Sequence, residues 1–370
     1  MKTPFVSSLA LPNFRLFSKT SEKRSLLYMS LELTARCNND CRHCYINLPA
    51  GDRVAESKEL SKGRILEIAD EAVSLGVLWV FLTGGEPLLR EDFADIYVGL
   101  KERGVLISVF TNATLVRDAH VRLFQQYPPR DIEVTVYGIR KRTYERVTRT
   151  PGSYAAFMEG LDRLTRGGIP VRLKAMALRS NLGELPEIAR FCRERTKDFF
   201  RFDPLLHLRY DGDKERNREI ESERLTPAEI AELDRTDPDR FEALRRFCDR
   251  PRIGTAPADR LFRCGVGDGG VDVSYDGLGR LCASLWHPDC LFDLSRGGFA
   301  EGWNGVAEKV SGLTSNRREF LEKCQPCSLI NLCMWCPANA YLESGELDMP
   351  VEYFCRVAHA RADLLGYPGE

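Results

Sequence analysis

Apolar residues in the N-terminal part of the chain recur in two alternating periods. Short, nearly continuous apolar runs predict buried strands at residues 26–34, 77–82, 105–110, 132–137, 171–177 and 199–203. Apolar residues at helical spacing predict helices between them, at residues 60–75, 93–100, 116–126, 153–165 and 184–195. Strand and helix therefore alternate, which predicts an α/β fold with a parallel sheet covered by helices.

The number of strands favours an incomplete, TIM-like (β/α)6 barrel, because a closed barrel of this type has eight strands. Loops at the carboxyl ends of parallel strands usually form the active-site face of such a sheet. A cysteine-rich loop follows the first predicted strand, a glycine-rich turn the second, and a Thr-Asn pair the third. We therefore expect these three segments to meet at one edge of the sheet.

The chain after the sixth predicted strand has a different character. Residues 209–224 include eleven charged residues out of sixteen, which predicts a solvated linker, with a partner-binding surface as the alternative. Thr226, Pro227 and Glu229 then predict a helix start. After residue 254 glycine, cysteine and short elements dominate.

These changes divide the chain into four predicted parts. They are an N-terminal extension (1–25), a partial barrel (26–208), a charged linker with a helical bridge (209–254) and a cysteine-rich region (255–370).

Composition excludes few functions by itself. The 370 residues are 43% hydrophobic and 29% charged, with a net charge of −1, so the charge balance predicts no affinity for nucleic acid or an anionic membrane. No apolar run approaches the roughly 20 residues that span a bilayer. The first residues make a poor secretory signal, so we expect a cytoplasmic protein. In that reducing compartment, thirteen cysteines indicate metal binding or catalysis rather than disulfides.

The most specific motif is a C-x3-C-x2-C triplet formed by Cys37, Cys41 and Cys44 and followed by Tyr45. Three thiolates at this spacing can bind three irons of a cubane [4Fe–4S] cluster and leave the fourth iron open. A structural metal site normally has four protein ligands, so an open iron indicates catalysis. A zinc site and three unrelated core thiols are the alternatives. His43 is interpreted as a loop residue.

The triplet and its aromatic residue resemble the signature loop of the radical SAM superfamily. The resemblance implies that S-adenosylmethionine chelates the open iron through its amino and carboxylate groups. It also implies that an electron from the reduced cluster cleaves the sulfonium, and that the resulting 5′-deoxyadenosyl radical abstracts a hydrogen atom from the substrate. A reductant such as flavodoxin or ferredoxin would supply the electron.

The glycine-rich turn after the second strand is similar to the GGEP motif of the same family. It consists of Thr83, Gly84, Gly85, Glu86 and Pro87. The resemblance implies that its backbone and Glu86 hold the amino group of S-adenosylmethionine. Glycine would be needed because the backbone must approach the ligand closely. Taken alone, this stretch predicts only a turn.

Four further polar residues are candidates for contacts with S-adenosylmethionine: Thr111, Asn112, Thr135 and Lys174. The resemblance implies polar contacts at the end of the third strand and a Ser-like residue on the fourth. The arginine that family members often carry after the fourth strand does not align, and Thr148 takes its place. For each candidate, a capped turn or a barrel-lining position is the alternative.

The C-terminal cysteines resemble the SPASM extension of radical SAM enzymes, which implies two auxiliary [4Fe–4S] clusters. Auxiliary cluster two would be ligated by Cys324, Cys327, Cys333 and Cys355. Auxiliary cluster one would be ligated by Cys264, Cys282 and Cys336. The chain departs from the family in having two residues rather than three before Cys336, and no further cysteine shortly upstream of Cys264.

The fourth position of auxiliary cluster one therefore has three possible states. It is filled by Cys248, filled by Cys290, or open to substrate. A pair of zinc knuckles is the alternative for the whole region, because C-x2-C pairs are common zinc ligands. Cys192 lies on an amphipathic helix and is predicted to be a buried core thiol.

The resemblance implies a peptide-modifying enzyme as the first functional hypothesis, forming thioethers, carbon crosslinks, epimerised or oxidised residues in a ribosomally made peptide. A dehydrogenase or oxidase of a small molecule or protein side chain is the second. An iron–sulfur electron carrier is the third. Only 36 residues precede Cys37, too few for the winged-helix module of many peptide-modifying relatives, so we expect direct peptide binding or a separate recognition protein.

Overall fold

The computed structural model describes residues 25–196, 201–248, 260–262, 264, 266–267, 269–295 and 297–367. Its strands are Tyr28–Glu32 (β1), Arg36–Cys37 (β2), Leu48–Pro49 (β3), Trp79–Thr83 (β4), Leu106–Thr111 (β5), Asp131–Thr135 (β6), Val171–Met176 (β7), Arg201–Asp203 (β8), Gly270–Val273 (β9), Leu278–Arg280 (β10) and Leu291–Asp293 (β11).

The helices of the N-terminal half are Arg53–Lys58 (α1), Lys62–Ser74 (α2), Phe93–Glu102 (α3), Asp118–Gln126 (α4), Lys141–Thr148 (α5), Ser153–Arg166 (α6) and Leu185–Arg195 (α7). The five helices that the periodicity predicts in this half are present, and α1 and α5 are two further helices that it did not predict. Later helices are Lys214–Glu223 (α8), Pro227–Thr236 (α9), Pro238–Cys248 (α10), Phe299–Ser311 (α11), Pro337–Ser344 (α12) and Glu352–Leu365 (α13). None of these described helices is long and apolar enough to cross a membrane.

Nine strands form one sheet in the order β11-β10-β9-β1-β4-β5-β6-β7-β8. Six of these strands pair in parallel, namely β1, β4, β5, β6, β7 and β8. The two edge strands of the described sheet, β11 and β8, are not paired with each other, so the barrel is partial. The predicted fold class is confirmed, although residues 199 and 200 of the predicted sixth strand lie outside the described residues.

The sheet gains three strands that the sequence did not predict. β9 pairs in parallel with β1, and β10 and β11 continue in antiparallel order. These strands are only three or four residues long and contain Gly270 and Gly279, so their apolar pattern is weak. The cysteine-rich region therefore extends the sheet of the barrel.

The two faces of the sheet differ in chemistry because successive side chains alternate. The outer face carries apolar residues such as Met29, Leu31, Val80 and Leu82, which are almost fully buried in one core with the covering helices. We call the opposite side the inner face. From the strand register it carries Tyr28, Ser30, Glu32, Trp79, Phe81, Phe110, Glu133, Lys174, Asp272 and Arg280.

The charged segment 209–224 is solvated on one side only and forms a packed helix rather than a linker, so the prediction is wrong in that respect. Most of it forms α8, and Arg209 is only 5% exposed. Arg209 is paired with Asp211, and Arg216 donates to the backbone carbonyl of Cys41 at 3.2 Å. Charges such as those of Arg209 and Arg216 are satisfied by neighbouring groups of the protein, whereas Lys214, Glu215 and Arg218 are exposed, a difference that charge density alone does not reveal. The predicted helix start at Thr226 is confirmed, with its capping box to Glu229.

A buried ionic cluster joins the middle of the chain to its C-terminal helix. Asp234 on α9 is 2% exposed and accepts hydrogen bonds from Arg240 at 2.9 Å and from Arg361 at 2.8 Å. Arg361, on α13, also donates to the carbonyl of Leu332. One carboxylate thus links α9 and the neighbouring α10 to α13, which is 127 positions further along the chain.

We predict that Asp234→Ala lowers the free energy of unfolding by about 3 kcal/mol, because removing one partner leaves buried arginines without compensation. Glu232→Ala on the same helix removes an exposed pair with Arg235 and should cost less than about 1 kcal/mol. Urea unfolding of both variants measures the difference. Equal costs would contradict the assignment of Asp234 as the link.

Candidate active site

The cysteine loop begins directly after β1 and is anchored at both ends. Cys37 lies on β2, which pairs with β3 beyond the last cysteine of the triplet. Arg36 beside it is 9% exposed and forms an ion pair with Glu59 at 2.8 Å. The β2–β3 pairing therefore joins the two ends of the loop, and the Arg36–Glu59 ion pair attaches it to the segment between α1 and α2.

The glycine-rich turn after β4 supports the entrance of this loop. The amide of Gly85 donates to the carbonyl of Thr34 at 2.6 Å, and the amide of Glu86 donates to the carbonyl of Arg36 at 2.9 Å. A Cβ on Gly84 would lie 2.2 Å from the Thr34 oxygen, and one on Gly85 would lie 2.2 Å from the Arg36 oxygen. Only glycine allows this contact between the two backbones.

This geometry changes the reason for the two glycines. The sequence predicts that they permit close approach of a ligand, whereas in the structure they permit close approach of the protein's own residues 34–36. Gly84 also has a φ of 133°, a conformation that other residues rarely adopt. Direct contact of this turn with S-adenosylmethionine stays a prediction.

The carboxylate of Glu86 is enclosed by the chain. It is fully buried and accepts hydrogen bonds from the Thr111 hydroxyl at 2.7 Å, the Asn112 amide at 2.8 Å and the Leu88 amide at 3.1 Å. Burial raises the pKa of Glu86 to about 7. Glu86 thereby joins the end of β4 to the end of β5, and its predicted contact with a ligand amino group stays a prediction.

The Thr-Asn pair after β5 reaches the cysteine loop. The side-chain amide of Asn112 donates to Asn38 Oδ1 at 3.0 Å and contacts Cys37 Sγ at 3.8 Å. The structure thus brings together the three segments that the sequence places at one edge of the sheet. They meet through Glu86 and Asn112.

The three loop thiols lie within electrostatic range of one another, with Cys41 buried and Cys37 and Cys44 partly buried. Burial raises the pKa of Cys37 to about 12, with Glu86 as a further cause, and burial raises the pKa of Cys41 and Cys44 as well. Thiols in such surroundings ionise only when a metal supplies positive charge. This donor set fits an iron–sulfur cluster. Among the described residues, no three His, Cys, Asp or Glu side chains form a site for a single metal ion.

The outer side of the loop is held by α5 and α8. The amide of Asp40 donates to the carbonyl of Thr148 at 2.9 Å, and the amide of Arg42 donates to that of Val147 at 3.1 Å. Thr148 itself is fully buried, and its hydroxyl is hydrogen-bonded within the chain. The expectation that Thr148 replaces a ligand-binding arginine is therefore wrong, because its side chain is enclosed by Tyr144 and Ser153 while its backbone carbonyl supports the loop.

A cavity of about 490 Å³ adjoins the loop. Cys37, Asn39, Asn47, Arg209 and Arg216 are among its lining residues. The Asn39 side chain is 3% exposed, and neither of its amide atoms has a hydrogen-bond partner in the described structure. None of the residues predicted to contact S-adenosylmethionine lines this cavity.

The two remaining predicted contacts lie on the inner face. Lys174 forms an ion pair with Glu133, and its ammonium lies 4.6 Å from the centre of the Phe110 ring. Thr135 ends β6 and is partly exposed. Lys174 therefore already has partners within the sheet, and a role in ligand binding stays a prediction for both residues.

The surroundings of His43 are not those of a metal ligand. Its ring packs against Tyr137 with centroids 5.1 Å apart, and burial lowers its pKa to about 4. This neutral, packed ring agrees with its interpretation as a loop residue. Cys192 is fully buried in the core, as predicted.

The C-terminal cysteines fall into two groups in space. The electrostatic neighbours of Cys333 are Cys355, Cys324 and Cys327, and those of Cys336 are Cys282 and Cys264. These are the two sets that the sequence assigns to auxiliary clusters two and one. The thiols are thus suitably grouped, while cluster binding by them stays a prediction.

The fourth position of the smaller group is not supplied by Cys290. That thiol is fully buried in the hydrophobic core, where burial raises its pKa to about 11, and its electrostatic neighbours are Lys309 and Asp289 rather than cysteines. Cys248 ends α10, but its side chain lies outside the described residues.

His207 lies between the first cysteine loop and the smaller C-terminal group. Its ring is 6.4 Å from that of Tyr45, and burial raises the pKa of Tyr45. Its Nδ1 lies 2.8 Å from Asn339 Oδ1 and 3.3 Å from Ser284 Oγ. Sequence reasoning missed His207 because its partners are 77 or more positions away.

Comparisons with known proteins agree with this site. The Radical SAM superfamily model matches residues 31–192, from β1 into α7. A Fe-coproporphyrin III synthase of Methanosarcina barkeri is 25% identical over 330 residues, which is 81% of this chain and 80% of the relative. A PqqA peptide cyclase of Gluconobacter oxydans is 24% identical over 290 residues, covering 72% of this chain and 78% of the relative.

The fold also has a solved counterpart. Streptococcus suis SuiB bound to its precursor peptide SuiA matches with a TM-score of 0.66 at 15% identity. The match covers 94% of this chain and 82% of that one. The partial barrel and its cysteine-rich extension therefore have the same overall architecture as SuiB.

We predict that Gly84→Ala destabilises the protein by about 2 kcal/mol or more, because the new Cβ meets the Thr34 carbonyl in a strained backbone conformation. Iron bound after anaerobic reconstitution should fall as well, since the displaced segment leads into Cys37. Gly183→Ala, with open space around its Cα, is the matched control and should change stability by less than about 1 kcal/mol. Normal iron content in Gly84→Ala would contradict the supporting role of the turn.

The buried carboxylate predicts a pH dependence for the metal-free protein. Its pKa of about 7, against 4.5 in the unfolded chain, corresponds to about 3 kcal/mol. This contribution is fully present below pH 4.5 and is lost as the pH rises through 7. Glu86→Gln should therefore show a smaller loss of unfolding free energy between pH 6 and 8. Parallel curves for the two proteins would contradict the raised pKa.

Proposed function

Because the Radical SAM superfamily model matches residues 31–192, we propose that this chain is a radical SAM enzyme that cleaves S-adenosylmethionine reductively and abstracts a hydrogen atom from an organic substrate. The observation that carries the proposal is the triplet of Cys37, Cys41 and Cys44 on one loop, supported at its entrance by the Gly84–Gly85 turn. Together with the family match, this donor set implies a [4Fe–4S] cluster and S-adenosylmethionine.

When bound, the cluster and S-adenosylmethionine supply one electron and the 5′-deoxyadenosyl radical that abstracts hydrogen. The chain itself positions the cysteine loop for this chemistry. Residues 33–36 fix where the loop begins, Thr148 and Arg216 hold its outer side, and Glu86 ties the turn to the end of β5. These contacts fix the backbone that carries the three cysteines. A cluster with one open iron needs such fixed ligands to bind S-adenosylmethionine in one orientation.

A ribosomally made peptide is the leading substrate in this proposal. The relative named PqqA peptide cyclase supports it, since that match covers most of both chains. The modification would be a thioether, a carbon crosslink, an epimerisation or an oxidation. A separate peptide-recognition protein or direct binding would select the substrate, and flavodoxin or ferredoxin would supply electrons in the cytoplasm.

A small molecule is the second candidate substrate. The relative named Fe-coproporphyrin III synthase favours it, because that match covers 81% of this chain at 25% identity. A tetrapyrrole, oxidised at a side chain, would then replace the peptide. The same partial barrel and cysteine loop would serve either substrate.

Auxiliary clusters are the third part of the proposal. Cys324, Cys327, Cys333 and Cys355 are grouped in space, and so are Cys264, Cys282 and Cys336. An auxiliary cluster at the smaller group, with one position open, could accept the electron left on the substrate or bind a substrate thiolate.

We predict 5′-deoxyadenosine when the anaerobically reconstituted protein is reduced with dithionite in the presence of S-adenosylmethionine. Cys41→Ala should abolish it, because the triplet loses a ligand. Cys192→Ala is the control, since this thiol lies in the core away from the site. Chromatography with mass spectrometry measures the product. Its absence from protein with an intact cluster would overturn the proposed radical chemistry.

We predict about twelve irons per chain, or about ten if a cluster is incomplete, because three cubanes hold four irons each. Cys333→Ala should lose about four irons, one cubane, while retaining the first cluster. Metal analysis and Mössbauer spectroscopy give these numbers. About four irons with zinc present in the wild type would show that the C-terminal cysteines bind zinc instead.

A further inference from the structure

The sulfur of Cys37 lies beside the side-chain amide of a residue from another strand. Asn112 directly follows β5, and its Nδ2 lies 3.8 Å from Cys37 Sγ, within reach of an N–H···S hydrogen bond. The backbone amide of Asn39 donates to the same sulfur at 3.4 Å. Cys37 therefore has one hydrogen-bond donor from its own loop and one from the end of the neighbouring part of the sheet.

A closed ring of hydrogen bonds orients the Asn112 amide. Its Nδ2 donates to Asn38 Oδ1 at 3.0 Å, Asn38 Nδ2 donates to the Thr114 hydroxyl at 2.7 Å, and that hydroxyl donates to Asn112 Oδ1 at 2.6 Å. The backbone amide of Thr114 also donates to Asn112 Oδ1, at 2.9 Å. Because a backbone N–H can only donate, the oxygen of Asn112 must face Thr114 and the nitrogen must face Cys37.

The backbone between Asn112 and Thr114 has an unusual conformation. Ala113 is fully buried and has a φ of 64°, in the left-handed region that few residues other than glycine adopt. This conformation turns the Thr114 amide back toward the Asn112 side chain. Such a conformation persists where the surrounding structure holds it, and it is frequent at functional sites. The turn therefore fixes the Asn112 side chain beside Cys37.

The hydrogen-bonding capacity of the Asn112 side chain is fully used. A side-chain amide has two N–H groups and two oxygen lone pairs. The two N–H groups are directed to Asn38 and Cys37, and the oxygen accepts from the backbone amide and the hydroxyl of Thr114. The side chain thus has no further donor or acceptor to offer to a second ligand.

We propose that Asn112 raises the reduction potential of the cluster held by Cys37, Cys41 and Cys44, by donating a hydrogen bond to the Cys37 sulfur. The inference rests on the proposed function, because it requires a redox-active cluster at this triplet. Asn112 is then a positioning residue that acts on the cluster through Cys37, rather than a direct contact of S-adenosylmethionine.

The direction of the effect follows from charge. Reduction adds one electron to the cluster and makes its sulfurs more negative, and hydrogen bonds to the sulfurs are among the factors that set the potential of iron–sulfur clusters. A donor is bound more strongly by a more negative acceptor, so the Asn112 amide stabilises the reduced state more than the oxidised state. The cluster then accepts an electron more readily from a flavodoxin or ferredoxin.

The test measures the reduction potential of the first cluster in the anaerobically reconstituted protein, by redox titration monitored with electron paramagnetic resonance. The signal that is absent from Cys41→Ala identifies this cluster. Asn112→Leu has nearly the shape of asparagine and removes the donor without adding charge, and Asn112→Ala is a smaller second variant. Asn304→Leu, at an exposed asparagine of α11, is the matched control.

We expect the equilibrium constant for one-electron reduction to fall about tenfold in both Asn112 variants, the effect of losing one hydrogen bond to a charged group. This corresponds to a decrease of about 59 mV in the reduction potential. Asn304→Leu should keep the wild-type potential. The dissociation constant of S-adenosylmethionine, from equilibrium dialysis with the oxidised protein, should be the same in all four proteins.

A second measurement needs no variant. Asparagine labelled with ¹⁵N at its side-chain amide is incorporated into the wild-type protein, and electron–nuclear double resonance is recorded on the reduced first cluster. We expect a nitrogen coupling, and we expect it to be absent from Asn112→Leu. If neither variant retains the cluster, the coupling in the wild type decides.

Two results would overturn the proposal. The first is a wild-type reduction potential in both Asn112 variants, and weaker binding of S-adenosylmethionine in that case would assign Asn112 to the ligand instead. The second is a reduced wild-type cluster without any coupling to the labelled amide. Failure of the proposed function is distinguishable, because it would appear in the wild type as an absent first cluster or as absent 5′-deoxyadenosine.

Discussion

The site depends on the contact between two backbone segments, residues 33–36 and residues 83–86. Three backbone hydrogen bonds join them, and no side chain fits between them at Gly84 or Gly85. One segment leads into Cys37, and the other leads through Glu86 to Asn112, which contacts the Cys37 sulfur. The position of the cysteine loop relative to the sheet follows from this contact.

The loop is supported from outside by parts of the chain that have no metal-binding residues of their own. α5 accepts two of its backbone amides, and α8 binds one of its carbonyls through Arg216. Arg149 also donates to the carbonyl of Asp40 at 2.8 Å. The loop that carries the three thiols is therefore fixed on both sides by hydrogen bonds to the rest of the chain.

Much of this arrangement could be predicted from the sequence because it follows local patterns. Continuous apolar runs identified the parallel strands, and motif spacing identified the cysteines that the structure groups in space. The role of Gly84 could not be predicted, because the atom it must avoid belongs to Thr34 on another strand. The packing of α8 was missed because charge density does not distinguish water from protein partners.

The pairing of Glu32 with Arg280 also could not be predicted from the sequence, because the two residues are distant along the chain. These residues are 248 positions apart and become neighbours only because β9 and β10 extend the sheet beside β1. The strands that bring Arg280 to the inner face are too short to show periodicity. The extension thus contributes Arg280 as well as cysteines, and residues from both halves of the chain form the inner face.

The central claim is that the triplet of Cys37, Cys41 and Cys44 holds a cluster with one iron open to S-adenosylmethionine. Electron–nuclear double resonance on the reduced protein, with S-adenosylmethionine labelled with ¹⁵N at its amino group, tests this most directly. We predict a nitrogen coupling to the cluster spin that persists in Cys333→Ala and disappears in Cys41→Ala. A reduced, intact first cluster without any nitrogen coupling would contradict the account.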